Sequence, residues 1–154
     1  MIILLIVMTG IMAGVYFAFS VFVMKSLAQL PALQAAQAMN KINDVIVNTL
    51  FLPIFFGSTF CYAGFIVWQF ADWQSGYSEL IIAAAIIYIT GMFLVTAFGN
   101  VPLNNRLKAG EANDAELALL WQHYLDKWAQ LNHLRTISCI ISLMLLGIAH
   151  IYFL

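Results

Sequence analysis

The stretch WQHYLDKWAQLNHLRTISCIISLMLLGIAHIYF, residues 121–153, decides how the chain is read. From about residue 134 onward it is apolar for long enough to cross a bilayer; before that it is aromatic and polar. On a helix that advances roughly 100° per residue, Trp121, Tyr124, Trp128, Asn132 and Arg135 share one face. Cys139 and Ser142 prolong that face into the apolar part. An amide and a guanidinium carried into a membrane span need partners, because hydrocarbon offers none.

The rest of the chain has the same character. Of its 154 residues 64% are hydrophobic and 8% are charged, and its mean hydropathy is +0.93. A soluble domain carries about a quarter charged residues, so this chain lacks the means to cover a water-facing surface. Spans are expected over about 2–24, 47–68, 80–99 and 134–153, with amphipathic helices over about 31–47 and 114–133. The expected fold is a single all-α domain, an integral membrane four-helix bundle with amphipathic helical extensions on the cytoplasmic side. The first run, at roughly 1.5 Å per residue, covers about 35 Å. No basic residue precedes it and its core is long, so it reads as a span and not as a cleaved signal.

Several local features sit on this frame. In 31–47, Gln34, Gln37, Asn40, Lys41, Asp44 and the following Asn48 fall on one side, with Ala35, Met39, Ile42, Ile46 and Leu50 on the other. Asn43 is the exception, near the apolar arc; it belongs either to a solvated surface helix or to a polar pocket. Pro53 is a candidate kink in the second span. Trp68, Trp73 and Tyr77 flank a short loop and read as an interfacial aromatic belt. Asn100-Val-Pro-Leu-Asn-Asn-Arg106 predicts a helix break or kink at Pro102, with Asn100, Asn104 and Asn105 either satisfying the break or facing a cavity. Asn113 begins a capping-box pattern with Glu116.

All six basic residues lie in two connections: Lys25 and Lys41 in the first, Arg106, Lys108, Lys127 and Arg135 in the third. The positive-inside rule then makes those connections cytoplasmic and puts both termini outside, with a bacterial inner membrane as the expected location. Asn43, the Asn100–Arg106 segment and the Trp121–Arg135 face thus collect at one mouth, where pockets between helices hold small ligands.

The chemistry available there is narrow. His133 begins the last span about 100° from Asn132, beside the aromatic face; His123 reads as solvated and His150 as lying at the opposite interface. The histidines lack metal-ligand spacing and no Cys or carboxylate cluster joins them, so no metal site is expected. Cys61 and Cys139 read as buried thiols. Glycine-rich nucleotide loops and the Gly-x-Ser-x-Gly element are absent. A net charge of −1 gives no footprint for nucleic acid. Arg135, one turn into the last span, must snorkel, pair with Asp44 or Asp126, or bind an anion. The expected partners are the lipid bilayer and a lipophilic small molecule, and Gly10 with Gly14 offers a surface for a homo-oligomer.

Phe17-Ala-Phe-Ser-Val-Phe22, Asn43, Asn100-Val-Pro-Leu-Asn104, and Trp121, Tyr124, Trp128 with Asn132-His-Leu-Arg135 together resemble the anthrone oxygenase-like family of small four-span membrane proteins. The resemblance covers nearly the whole chain. It implies oxidation of a lipophilic aromatic, anthrone- or quinol-like, by dioxygen as co-substrate, with no bound cofactor. On that reading His133 would be the general base. Arg135, Asn132 and Asn104 would stabilise an enolate oxygen, and Trp121, Tyr124 and Trp128 with Asn43 and Asn100 would bind the ring system. The alternative is a non-enzymatic membrane module: an assembly partner, a lipid-binding subunit or a small transport component. Its polar residues would pair among themselves or face a second subunit, leaving no ligand-sized cavity.

Overall fold

A computed structural model describes residues 2–110 and 113–152. The described residues form five helices: α1 (Ile2–Leu27), α2 (Ala32–Ile46), α3 (Phe51–Ala71), α4 (Tyr77–Ala109) and α5 (Asp114–Ile151). All but α2 are long and apolar enough to cross a membrane. Their outward faces carry side chains such as Phe60, Val67 and Phe98, exposed by 70%, 70% and 80%. Water would penalise such a surface and lipid does not. The chain is an integral membrane protein.

The 38-residue α5 is the common partner of the other helices, lying along α1, α4 and α2. It is unbroken, about 57 Å long at 1.5 Å per residue. The Asn113 side chain caps its start by accepting from the Ala115 and Glu116 amides. Because the helix keeps its phase, Trp121, Tyr124, Trp128, Asn132, Arg135, Cys139 and Ser142 are all buried. The predicted final residue of this span, Phe153, lies outside the described residues. Away from the loops that join α1 to α2 and α4 to α5, hydroxyls tie the helices together. Ser142 gives its proton to the Ala84 carbonyl at 2.9 Å, so Tyr62 donates to Ser142 at 2.6 Å and Thr9 donates to Tyr62 at 2.9 Å. These three hydroxyls thus find partners where no water is available.

Three predicted features come out differently. α3 starts at Phe51, not 47, because residues 47–50 make the turn out of α2. There Thr49 Oγ1 donates to the Ile46 carbonyl and accepts from the Phe51 amide. That start puts Pro53 in the first turn of α3, where a missing N–H costs no helical bond. Asn40, placed by pattern on the solvated side of α2, is buried and reaches the Leu107 carbonyl at 3.4 Å. The buried face of α2 is Ala35, Ala36, Met39 and Asn40, turned toward α4 and α5.

The helix does not break at Pro102 either. α4 runs on to Ala109 through two wide π-type turns, Ile89–Leu94 and Thr96–Asn100. The second, closed by the Val101 amide on the Thr96 carbonyl, directly precedes Pro102. In a regular α-helix the proline ring would crowd the Phe98 carbonyl, and a widened turn relieves that contact. Each wide turn contains a glycine facing α5. A Cβ on Gly91 would collide with Ser138, and one on Gly99 would lie 2.8 Å from Leu131 Cδ1. α1 has a third wide turn, Phe19–Val23. Irregular turns of this kind frequently mark functional sites, and all three adjoin one cavity.

Candidate functional site

The cavity has a volume of about 540 Å³ and lies among α1, α2, the start of α3, α4 and α5. Aromatic rings make most of its wall. Phe55 stacks on Phe51 and Phe93, with centroids 5.9 and 5.3 Å apart, and Phe19 leans on Trp128 at 5.4 Å. The polar side chains in the wall include Asn43, Asn100, Asn104, Thr96 and Arg135, with Asp44 and Lys108 beside them.

Arg135 is the unusual member. It is 4% exposed, and its guanidinium carbon lies 4.3 Å from the Tyr16 ring centroid and 5.0 Å from that of Trp128. Nη1 donates to Thr96 Oγ1 at 3.3 Å and Nη2 to Asn132 Oδ1 at 2.8 Å, while Nε has no partner. No carboxylate among the described residues neutralises it. The ion pair among the described residues joins Lys108 to Asp44 at 2.8 Å, and both of those side chains are about half exposed. Neither predicted partner, Asp44 or Asp126, therefore pairs with Arg135. A buried guanidinium is held here by two ring faces and neutral acceptors, with donor capacity left over.

Asn132 sits behind the guanidinium and does not line the cavity. Its Nδ2 donates to the Tyr16 carbonyl and to Ser20 Oγ, each at 2.8 Å, which turns Oδ1 toward Arg135. Thr136 gives its proton to the Asn132 carbonyl, so Ser20 donates to Thr136 at 2.9 Å. This chain of bonds aims Arg135 and leaves Asn132 no free group for a ligand.

A second network ends at the cavity wall. Trp128 Nε1 can only donate, and it does so to Asn104 Oδ1 at 2.9 Å, where the Tyr124 hydroxyl also donates at 2.8 Å. Asn104 must then point Nδ2 at Asn43 Oδ1, 3.2 Å away, which leaves Asn43 Nδ2 unpartnered. Asn100 is oriented the same way: Nδ2 donates to the Trp128 carbonyl at 3.3 Å and Oδ1 has no partner. The wall thus holds a cation with a spare N–H, a spare amide donor and a spare amide acceptor. Buried polar atoms without partners are rare, and three on one cavity wall fit an oxygen-bearing ligand.

The expected site is assembled in part. Asn43, Asn100, Asn104, Trp128 and Arg135 meet at the cavity. Trp121 and Tyr124 stack behind Trp128, with centroids 5.6 and 5.9 Å apart along the row, and face protein. His133 is exposed on the outer side of α5 and lines none of the cavity. At 100° from Asn132 it cannot share the buried face of a helix that does not bend. Tyr16, Phe19, Phe51, Phe55, Phe93 and Thr96 were not singled out as site residues. A signal existed for α1, where Leu5, Thr9, Met12, Tyr16 and Ser20 repeat at helical spacing on one face.

The sequence model of the Anthrone oxygenase family matches residues 44–145, about two thirds of the chain. The chain belongs to that family. The matched region carries Asn100, Asn104, Trp128 and Arg135, whereas Tyr16, Phe19 and Asn43 precede it. No curated protein and no solved structure matches the chain.

Proposed function

We propose that the chain is a cofactor-independent membrane oxygenase that converts a lipophilic aromatic ketone of the anthrone type to the quinone. The observation that carries this reading is Arg135: buried, without a carboxylate partner among the described residues, and in the wall of an aromatic cavity with an unused N–H. A cation so placed stabilises negative charge on a ligand oxygen far better than it would in water. A module whose polar groups served only structure would need neither the spare donors nor the cavity.

The ring system lies against Phe19, Phe55 and Trp128, and its ketone oxygen meets Arg135 and Asn43 Nδ2. The ring-methylene C–H breaks and Asp44, the carboxylate of the cavity wall, takes the proton. The charge moves to the oxygen beside Arg135. The resulting enolate reduces dioxygen in one-electron steps, and a carbon–oxygen bond forms. Asp44 returns its proton to the peroxide. Loss of the second C–H proton with cleavage of the O–O bond releases water and leaves the new carbonyl. One ketone and one dioxygen thus give one quinone and one water. The cavity mouth, with Lys108 and Asp44, lies on the cytoplasmic side if the basic connections do.

The test uses the purified chain in lipid nanodiscs with anthrone and isotopically heavy dioxygen. The reading expects oxygen uptake matched one to one by quinone, with one heavy atom in its new carbonyl. Uptake no faster than in empty nanodiscs, or quinone without heavy oxygen, would overturn it.

A further inference from the structure

A second depression of about 470 Å³ lies beside the cavity, along the seam between α1 and α3 and beneath the turn at residues 47–50. Its wall is apolar apart from Thr49, and Ile11 and Leu50 on its rim are exposed. Three residues, Val15, Ile46 and Phe51, line both spaces. Phe51 also touches Tyr16 edge-on at 6.4 Å, and Tyr16 carries the Arg135 guanidinium. Two ring contacts therefore separate the cation from the groove. From the shared wall the groove runs to Ile11 on α1 and Ile54 on α3. Both directions lead away from the turn and into the bilayer, by about one helical turn.

We propose that this groove receives a hydrocarbon tail, alkyl or isoprenoid, borne by the aromatic head in the cavity, so that the substrate is an amphiphile with its tail left on the lipid-facing seam. The inference rests on the cavity being the substrate site. A closed cavity would force such a tail out of the membrane or into the wall. The groove lets it keep hydrocarbon surroundings, which is permissive and adds little affinity, since lipid is as apolar as the groove.

The experiment measures retention of tritiated anthrone and of an octyl-substituted anthrone by nanodiscs holding the full chain, with empty nanodiscs subtracted. Wild type should bind the two within about threefold of each other. Ile11→Trp and Ile54→Trp, which fill the groove from opposite walls, should weaken the octyl compound by about tenfold or more through overpacking. The same variants should leave anthrone within about twofold. Ile3→Trp, exposed on α1 away from the groove, should change neither and serves as the control for folding. Rejection of the octyl compound by wild type, or equal effects of both groove variants on the two ligands, overturns the proposal and leaves the oxygenase reading standing. Selective loss without oxygen uptake supports the groove and sinks the oxygenase reading. Failure of wild type to retain either ligand overturns both.

Discussion

Replacing Arg135 with methionine separates a charge kept for chemistry from one kept for structure. The substitution removes hydrogen bonds to Thr96 and Asn132, each worth about 1.5–3 kcal/mol for a charged donor. It also removes contacts with the Tyr16 and Trp128 rings, about 0.5–2 kcal/mol each. Asn132 Oδ1 loses its donor, at about 1–3 kcal/mol. Against these stands the relief of burying a guanidinium that has no carboxylate, several kcal/mol, and methionine fills much of the vacated space. Even at their lower ends the losses come to about 5 kcal/mol, and the relief offsets several of these, so the net destabilisation is a few kcal/mol, a midpoint shift of about 5–15 °C. Turnover should respond quite differently. Losing a donor to a developing oxyanion costs about 10²–10³ in kcat, and a buried cation belongs at the upper end. Thermal unfolding in nanodiscs and oxygen uptake with anthrone, on the same preparation, read both quantities. A variant that does not fold, or one that keeps more than about a tenth of the activity, would refute the reasoning.

Other substitutions probe the remaining parts of the account. His133→Ala should keep activity within about twofold, since the side chain is exposed off the cavity, while Asp44→Asn should lose about 10²-fold or more as a proton acceptor; the reverse order in the same uptake assay would return the base to α5. Asn104→Leu strands the Trp128 indole N–H and the Tyr124 hydroxyl, so stability should fall by about 1–3 kcal/mol for each. With Asn43 released, KM for anthrone should rise as well; unchanged KM would show that Asn43 does not meet the substrate. Gly91→Ala drives a methyl group into Ser138 where α4 meets α5 and should destabilise by about 1–3 kcal/mol. Gly64→Ala, with nothing in its path, serves as the comparison in the same melting experiment.

The helical class and the buried face of α5 followed from composition and periodicity for a simple reason. A helix that stays straight carries its phase, so Trp121 and Ser142, six turns apart, still point inward. The same geometry already placed His133 off that face. What periodicity could not supply was depth and direction. Asn132 and Arg135 share the buried side, yet only Arg135 reaches the cavity, because the Asn132 amide is taken by the Tyr16 carbonyl and Ser20. The wide turns in α1 and α4 arise from the hydrogen-bond register, which leaves no mark in the pattern beyond Pro102. Phe19, Thr96 and Asn100, which lie in those turns, line the cavity. Periodicity alone puts Asn40 on a solvated side, because an isolated amphipathic arc assumes one, whereas α2 is covered by α4 and α5 together.

The proposed chemistry requires the Arg135 wall of the cavity to receive the oxygen of a lipophilic aromatic. An experimental structure of the chain in nanodiscs soaked with anthrone under nitrogen tests this most directly. A ring system should lie against Phe19 and Trp128, with its ketone oxygen at hydrogen-bonding distance, about 2.7–3.2 Å, from an Arg135 nitrogen. Ligand on the outer face of α5 beside His133, or in the cavity with Arg135 unengaged, would contradict it.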